Sequence, residues 1–583
     1  MLTLFVFGAT NGWSQQQSLS LFQHALREKI RGQSSSVFSQ KVPFLKNNTL
    51  DQKLSDSDTQ EEGEPFIAVN PKDSNNVVVS YMNIDPATGI LDFPIYYSQD
   101  GGGSWEKSNF IASSIYNADP IPNMILAGGG DPVLAFDREG KLYFSWIFLA
   151  LNFSTLDGRF LTYWASSTDG GKSWEVSEGS NKLLADGGFN FGTGALLDEG
   201  NGVLDRQWLA VDQTGGAHDG VLYCSGLFFS NDSTEIGGII LRKKLPDSDV
   251  FEPNQVVVSD TPNAQFGNVH VDRLGRVHIT YGDLDSFLVK HTVSEDGGTI
   301  FNQPTVIGNF NWLFEDTVRV NELENPAINF AIDPINDELH LVWNAFDDKV
   351  NGFYSRSLDG GKTWSEAQNI ADLIKLPNHQ IYFPNVVAQD GQVSISAYVL
   401  DTEDAGNYAL LQSEDSGTNW EAPLSLSSQI TNFKDYPLGT QFNPSPLFGD
   451  YFTSARSACK TFSAWSDGRN GEGPKIYIGV VDHCEMVSQI STLEAEEQDF
   501  YLKAAYPNPV EQTINLELEL MQTQAVSVSI MDASGRVIQQ LESGQWSKGT
   551  AERQYDLSNL AKGVYFLTVK SKQRIFTKSI EKL

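Results

Sequence analysis

The chain has 583 residues, of which 40% are hydrophobic and 50 are glycine, and its formal net charge is −34. This length exceeds what a single hydrophobic core supports, so we expect several domains or one large repeat architecture. The chain has 74 acidic and 40 basic residues, and this negative charge repels phosphate and anionic lipid. Nucleic acid and membrane surfaces are therefore not expected as partners. No segment approaches the roughly 18 uninterrupted apolar residues of a membrane-spanning helix, so no membrane insertion is predicted.

The N-terminal residues 1–14 have the pattern of an export signal. A short apolar run from Leu2 to Ala9 is followed by Gly12 and Ser14, small residues suited to cleavage after Ser14. We predict a secretory signal peptide whose basic start is missing, with a buried strand as the alternative. Residues 15–63 follow as an N-terminal segment, and its acidic, turn-rich end (51–64) is interpreted as a linker or loop.

Two patterns recur through the middle of the chain. The first reads Ser-x-Asp-x-Gly-x-x-aromatic, and its defining residues are Ser98, Asp100 and Trp105; Ser167, Asp169 and Trp174; Ser294, Asp296 and Phe301; Ser357, Asp359 and Trp364; Ser413, Asp415 and Trp420. The second is a pair of alternating apolar segments joined by a turn, and it occurs seven times, at 64–82, 131–147, 205–226, 267–283, 325–344, 383–399 and 449–467. Alternation with period two predicts antiparallel strands.

Repeats of four short strands predict an all-β fold, a β-propeller with one repeat per blade. We expect seven blades, or six if one copy is an embellishment. The last repeat ends early, so a strand from the N-terminal segment, such as 36–42, is expected to complete it.

The Asp of the first pattern is predicted to hold a turn rather than to perform chemistry. Ser and Asp accept hydrogen bonds from backbone N–H groups in turns, glycine supplies positive φ, and the aromatic residue folds back over the same blade. Five copies spread round a ring cannot share one active site. The pattern resembles the Asp-box, or BNR repeat, of sialidases and other propellers, and the resemblance implies a sialidase-like propeller over 64–484. No cofactor is predicted, with a structural Ca²⁺ at one of these loops as an alternative.

The C-terminal part has a different composition. After a polar linker (485–500), residues 501–583 contain short alternating strands separated by turn residues, which predicts a small β-sandwich. Tyr506-Pro507-Asn508-Pro509, the run 532–537 and Gly563-Val564-Tyr565-Phe566 resemble the C-terminal sorting domain of type IX secretion cargo in Bacteroidetes. The resemblance implies contact with the type IX machinery and a secreted or cell-surface location. A carbohydrate-binding sandwich is the alternative.

The sialidase resemblance also implies a catalytic set that this sequence matches poorly. That family clamps the substrate carboxylate with three arginines and begins the first blade with an Arg-Ile-Pro stretch, whereas Glu64-Pro65-Phe66 stands here. If a site exists, it lies at the axis, where the strands nearest the axis begin. Candidate catalytic or ligand-binding residues there are Asp131, Asp205, Arg206, Asp450, Tyr451 and Arg469, together with Glu64, Asn268, His270, Asn325 and Asn385.

Two functions remain open on the sequence. The favoured one is a non-hydrolytic propeller that binds a glycan or protein ligand at its axis, and the alternative is an exo-acting glycoside hydrolase that uses axial carboxylates and arginines. The three cysteines match no zinc motif. A Cys459–Cys484 disulfide with Cys224 left over, and buried free thiols, are equally compatible with their spacing.

Overall fold

The computed structural model describes residues 51–583, apart from gaps at 56–60, 86–90, 177–182, 194, 231–236, 254–255, 311–326, 347–348, 402–404, 433–448, 470–473, 485–499, 532–536 and 572–574. The chain divides into two compact units, Met1–Asp482 and His483–Leu583. The predicted signal peptide, the strand suggested at 36–42 and Asn325 lie outside the described residues. None of the helices in the described ranges has the length and apolar character that a membrane-spanning helix requires.

The first unit consists of short antiparallel strands in chain order, with two short helices. Its first part contains β1 (Gln52–Lys53), β2 (Glu61–Asn70), β3 (Asp73–Ile84), β4 (Leu91–Asp92), β5 (Ile95–Ser98), β6 (Glu106–Lys107), α1 (Ser113–Ala118), β7 (Ile125–Phe136), β8 (Leu142–Leu151), β9 (Asp157–Ser167) and β10 (Leu183–Asn190). The middle part contains β11 (Leu196–Val211), β12 (Leu222–Phe229), β13 (Gly238–Lys244), β14 (Val256–Val257), β15 (Ala264–Val271), β16 (Val277–Asp283), β17 (Leu288–Ser294) and β18 (Thr305–Asn309). The last part contains β19 (Asn329–Ile332), β20 (Leu339–Phe346), β21 (Val350–Ser357), β22 (Gln368–Asn369), α2 (Ile370–Leu373), β23 (Gln380–Gln389), β24 (Gln392–Leu400), β25 (Ala405–Ser413), β26 (Leu424–Ser425), β27 (Thr431–Asn432), β28 (Thr453–Arg456), β29 (Lys460–Asp467) and β30 (Lys475–Asp482).

These strands pair into seven blades. Blade 1 is β2-β3-β5-β6, blade 2 is β7 to β10, blade 3 is β11 to β14, blade 4 is β15 to β18, blade 5 is β19 to β22, and blade 6 is β23 to β26. Blades 2 and 3 are joined into one sheet because β10 also pairs with β11. The first strands of successive blades pack against one another in order, and β28 of blade 7 packs against β2 of blade 1, which closes the ring. The predicted propeller is confirmed, with seven blades.

Blade 7 is completed from the N-terminal side, as predicted, but by a different stretch. Its order is β1-β30-β29-β28, with Gln52 opposite Ile478 and Lys53 opposite Tyr477. The run 51–64, interpreted from its acidic composition as a linker or loop, therefore contains β1 and the start of β2. The acidic composition was a poor guide because acidic side chains in the described part of this run are buried and bonded: the Glu62 carboxylate accepts the Ile476 N–H at 2.9 Å.

Each Asp turn is held by its own hydrogen bonds. In blade 1 the Ser98 hydroxyl donates to Asp100 at 2.8 Å and accepts the Gly102 N–H at 2.9 Å. Asp100 also accepts the Ser104 N–H at 2.9 Å and the Ser104 hydroxyl at 2.7 Å. The Ser104 hydroxyl, then the Ser104 N–H and the Ser98 hydroxyl, lower the pKa of Asp100 to about 2. The other four turns repeat the Ser-to-Asp and Gly-to-Ser bonds.

The second glycine of each turn lies against the preceding blade. A Cβ on Gly102 would come within 3.0 Å of Val480 in blade 7, and one on Gly298 within 2.5 Å of Leu241 in blade 3. The sequence predicts that the aromatic residue folds back over its own blade, but this does not hold for every turn. Trp420 of blade 6 packs edge-on against Tyr354 of blade 5. The turn therefore joins neighbouring blades as well as closing its own hairpin.

The second unit is a sandwich of two sheets, as predicted. Its strands are β31 (Phe500–Tyr506), β32 (Thr513–Leu520), β33 (Gln524–Met531), β34 (Val537–Trp546), β35 (Gly549–Asp556), β36 (Gly563–Lys570) and β37 (Ile575–Lys582). They form the sheets β31-β32-β35 and β34-β33-β36-β37. Both sheets contribute to one core, which includes Leu516, Val528 and Trp546, so Trp546 is a core residue rather than an exposed sugar platform.

The structure decides between the two cysteine arrangements that the sequence left open, a disulfide or buried free thiols. Cys459 and Cys484 are disulfide-bonded, and Cys224 is a free, buried thiol. A disulfide suits a protein that reaches an oxidising compartment.

Candidate functional site

A bulge interrupts the first strand of the blades at the same place. In blade 1, for example, pairing passes from Gly63–Met82 to Phe66–Ser80, so two residues oppose one. In blades 1, 2, 3, 4 and 6 the first residue of the bulge has positive φ although it is not glycine, and Ala327 has the same conformation just before β19 of blade 5; the bulge residues are Glu64, Asp131, Arg206, Phe266 and Phe383. In blade 7 the positive φ is at Gly449, and Asp450 beside it begins the matching sequence Asp450-Tyr451-Phe452. Left-handed conformations at bulky residues are uncommon and mark functional or strongly constrained positions.

This ring of bulge residues has two chemically different halves. In four consecutive blades a charged side chain stands at the left-handed position or, in blade 7, directly after it, and in the other three an apolar side chain stands there: Asp450, Glu64, Asp131 and Arg206 in blades 7, 1, 2 and 3, and Phe266, Ala327 and Phe383 in blades 4, 5 and 6. The sevenfold backbone thus presents an asymmetric set of side chains around the axis.

The charged half is connected from blade to blade. Glu64 accepts the Asp131 N–H at 3.0 Å through one carboxylate oxygen and the Asp450 N–H at 3.1 Å through the other. Asp131 in turn accepts the Arg206 N–H at 3.2 Å. Glu64 and Asp131 therefore bind the backbone of neighbouring blades, which links blades 7, 1, 2 and 3.

Arg206 links the charged half to the apolar half. Its guanidinium pairs with Asp450 at 2.7 Å and lies 4.2 Å from the centre of the Phe266 ring. Its Nη1 is buried and has no hydrogen-bond partner among the described residues. Asp205, also buried, accepts the Arg206 N–H at 3.0 Å. Four carboxylates and one guanidinium are therefore buried together.

The surroundings disfavour negative charge on these carboxyls. Burial, then the charges of Glu64, Asp205 and Asp450, raises the pKa of Asp131 well above its usual value, and Arg206 opposes this only in part. Burial also raises the pKa of Asp205 and of the Tyr451 hydroxyl. An additional cation or proton would relieve this excess of negative charge.

A cavity opens beside the ring; the space within it and at its open mouth together amounts to about 500 Å³, much of it shared with solvent. Its aromatic lining residues are Trp208, Phe266, Phe383, Tyr451 and Phe452. Its polar lining residues are Arg206, Gln207, Asn268, Asn329 and Asp450. A concave, mostly apolar surface with a few convergent polar groups is typical of small-ligand binding.

The structure brings together five of the six candidates Asp131, Asp205, Arg206, Asp450, Tyr451 and Arg469. Arg469 is elsewhere: it pairs with Asp51 and Asp467 beside the closing strand β1 and lies 3.8 Å from the centre of the Tyr477 ring. The side chain of Asn385 accepts the Ser454 N–H and so joins blade 6 to blade 7. His270 is partly buried, packs edge-on against Phe330 and does not line the cavity.

A three-arginine clamp is not formed by the residues described around the cavity, where Arg206 is the one arginine. Arg356 donates to Ser416 and Thr418 of the next blade, and Arg456 donates to Ser394 at 2.8 Å. Tyr451 donates its hydroxyl to the Pro132 carbonyl at 3.1 Å, an arrangement that holds the ring in place rather than exposing a nucleophile.

Sequence reasoning did not single out Gln207, Trp208, Phe266 or Phe383 as site residues. Aligning the seven strand-pair repeats would have placed Phe266 and Phe383 in the same column as Glu64, Asp131 and Arg206. Gln207 follows that column directly, and its Nε2 donates to the Asp131 carbonyl at 2.6 Å.

Several solved structures are similar to the chain at low identity. The Penicillium chrysogenum alpha-L-arabinanase complexed with arabinobiose is 13% identical over 76% of this chain and 99% of that one, with a TM-score of 0.39. The Ruminococcus gnavus intramolecular trans-sialidase is 12% identical over 74% and 97%, with a TM-score of 0.36. The Hadza microbial sialidase Hz136 is 14% identical with a TM-score of 0.35; the match covers 58% of this chain and spans only 63% of that sialidase.

No curated protein sequence matches the chain. Residues 504–582 match the family described as secretion system C-terminal sorting domain. This match agrees with the resemblance read from Tyr506-Pro507-Asn508-Pro509 and with the two-sheet sandwich described above. The second unit is therefore a type IX secretion C-terminal sorting domain, and the protein that carries it is exported cargo.

Proposed function

We propose that this protein is a secreted or surface-attached propeller that binds a glycan in its axial cavity without hydrolysing it. The observation that carries the proposal is the division of the axial ring into a charged half and an apolar half beside one cavity. A sugar ring has the matching character, because its C–H faces are apolar while its hydroxyl groups donate and accept hydrogen bonds.

The cavity can address both sides of such a ligand. Trp208 is partly exposed and is held by edge-on contacts with Phe66 and Tyr451, at ring-centre distances of 5.1 and 5.7 Å. A rigid, half-exposed indole offers apolar area at little entropic cost. Arg206, which also lines the cavity, offers an Nη1 without a hydrogen-bond partner in the described structure, and Asp450 offers acceptor oxygens.

The geometry favours binding over hydrolysis. In glycosidases the two carboxyl groups flank the sugar bond, separated by about 5–5.5 Å in retaining enzymes and by about 6.5–9.5 Å in inverting ones. Here Glu64 and Asp131 hold backbone N–H groups and are not among the residues that line the cavity, so Asp450 is the one carboxylate of this cluster that a sugar in the cavity would meet. An exo-acting glycoside hydrolase remains the second candidate, since Asp450 and Arg206 both line the cavity.

Two further parts of the proposal concern export. The tail is proposed to engage the type IX secretion machinery through residues 501–583 and to be removed during secretion or surface attachment. Residues 1–14 are proposed to act as the signal peptide. N-terminal sequencing of the secreted protein would test the first cleavage, and its intact mass would test removal of the tail.

The proposed function is tested by glycan-array and calorimetric binding of the full chain, compared with Trp208→Leu and Trp420→Leu. Both variants lose a partly buried indole, but only Trp208 lines the cavity. We expect Trp208→Leu to lose binding and Trp420→Leu to retain it. Binding to a protein ligand with no glycan response would contradict the glycan assignment. Fluorophore release from a glycoside panel, abolished in Asp450→Asn, would establish the hydrolase instead.

A further inference from the structure

We propose that Glu64, Asp131 and Asp450 form a divalent-cation site at the propeller axis, with the Gln207 side-chain oxygen as a neutral ligand, and that the ion is Ca²⁺. The site goes beyond the proposed glycan binding, because it requires no glycan. It is built from the charged half of the axial ring and the residue that follows Arg206.

The spacing of the three carboxylates suits such an ion. One oxygen from each lies within 4.8 Å of the others. Ca²⁺ binds oxygen at about 2.3–2.6 Å, so two ligands on opposite sides of one ion stand about 4.6–5.2 Å apart. All three oxygens therefore fit around a single ion. The backbone N–H bonds of Glu64 and Asp131 do not prevent this, since each carboxylate oxygen has two lone pairs.

Gln207 provides an independent indication of a ligand. Its side chain is only 1% exposed, and its Nε2 is held by the Asp131 carbonyl at 2.6 Å, which places the amide beside the cluster. Its Oε1 is buried without a hydrogen-bond partner in the described structure, and the residue lines the cavity. A buried amide oxygen without a donor is costly, and a bound cation would satisfy it.

The charge of the site favours a divalent ion. Glu64, Asp131, Asp205 and Asp450 bring four carboxylates, and Arg206 brings one positive charge, so three negative charges are in excess when all are ionised. Buried charge of one sign is strongly unfavourable unless it is paired or coordinates a metal. A divalent ion would reduce the excess to one.

The ligand chemistry selects Ca²⁺ over other common ions. All the donor atoms are oxygens, which disfavours Zn²⁺ because that ion prefers nitrogen and sulfur ligands. Irregular geometry, imposed by carboxylates that also hold the backbone, suits Ca²⁺ better than Mg²⁺, which requires a near-ideal octahedron. The Asp turns are weaker hosts, because carboxylates such as Asp100 already accept several N–H and O–H donors.

The test is direct metal binding by the full chain after dialysis against a chelator. Calorimetry with Ca²⁺, and Tb³⁺ luminescence sensitised by the nearby Trp208, are measured for the wild type, Asp131→Asn and Gln207→Met. Glu366→Gln is the matched control, since it removes one exposed negative charge away from the axis. We expect wild type and Glu366→Gln to bind one equivalent, and Asp131→Asn to bind at least about tenfold more weakly.

Two results would overturn the inference: no Ca²⁺ uptake by the wild type at millimolar concentration, or equal binding by wild type and Asp131→Asn. If Asp131→Asn does not fold, Gln207→Met carries the same comparison, and unchanged affinity there would remove the amide oxygen from the site. Glycan binding measured with and without chelator separates this inference from the proposed function, because either can fail while the other holds.

Discussion

Two adjacent glycines in the turn of blade 4 experience different surroundings, and alanine at each should have a different effect on stability. Gly297 and Gly298 both have positive φ, 69° and 76°. A Cβ on Gly297 would meet His218, a half-buried side chain that can move, at 2.5 Å. A Cβ on Gly298 would meet Leu241, which is fully buried in blade 3, also at 2.5 Å.

The expected costs follow from these contacts. Alanine in a left-handed conformation costs about 1–2 kcal/mol at either position. At Gly298 the displaced Leu241 adds about 1–3 kcal/mol of overpacking. We therefore expect Gly297→Ala to lower the free energy of unfolding by about 1–2 kcal/mol and Gly298→Ala by about 2–5 kcal/mol.

The assay is urea unfolding of the full chain, followed by tryptophan fluorescence and circular dichroism, with a double-mutant cycle. Leu241→Ala alone should cost about 2–5 kcal/mol. In that background the nearest remaining atom to the new Cβ is 3.4 Å away, so Gly298→Ala should cost only about 1–2 kcal/mol. Equal costs for the two glycines in the wild type, or no relief by Leu241→Ala, would refute the conclusion that this turn packs against the preceding blade.

Three shorter predictions concern charge. The pKa of Asp100, lowered to about 2 chiefly by the Ser104 hydroxyl, should be measurable by NMR, and the stability it contributes should persist above pH 4 and be lost as the pH falls through 2. Burial, and then the charge of His278, lowers the pKa of His270 from 6.5 to about 4. The free energy of unfolding should therefore fall as the pH drops from 6.5 to 4, by up to about 1.4 kcal/mol per pH unit. Urea midpoints measured across this pH range should show the fall in the wild type and a smaller one in His270→Asn. Arg469→Met leaves the buried Asp51 unpaired and should cost about 3–5 kcal/mol, whereas the half-exposed Arg138→Met should cost under about 1 kcal/mol in the same unfolding assay.

The sequence was sufficient for the architecture because the architecture is repeated. Five Asp turns and seven strand pairs each report the same local physics, so a single ambiguous copy does not change the result. The strand that completes blade 7 could not be located from the sequence. It has only two residues, Gln52–Lys53, which is too short for an alternating pattern to be recognised among acidic neighbours. Its position depends on Ile478 and Tyr477, more than 400 residues away in the chain.

The candidate site was predictable in outline only. A propeller directs the starts of its first strands to the axis, which was enough to select Asp131, Arg206 and Asp450. The same reasoning also selected Arg469, because an Asp-Gly-Arg turn near the end of a strand gives no indication that its guanidinium faces Asp51 and Asp467. Which side of a strand faces the axis depends on the bulge, and a bulge leaves no composition signal when its left-handed residue is Glu, Arg or Phe rather than glycine.

That absence of glycine is informative about the site. A left-handed position that only had to turn the chain would accept glycine at lower strain, as Gly449 shows in blade 7. Six blades instead hold larger side chains in this conformation, at a cost of about 1–2 kcal/mol each. In blades 1 to 3 the cost is offset by carboxylate bonds to neighbouring backbone and by the Arg206–Asp450 pair, which stabilise the ring. The conformation of Phe383 is supported in the same way, since its N–H donates to the Asn344 side chain at 3.1 Å, and the Phe266 ring packs against the Arg206 guanidinium. Both rings also line the cavity, where glycine would supply no apolar surface.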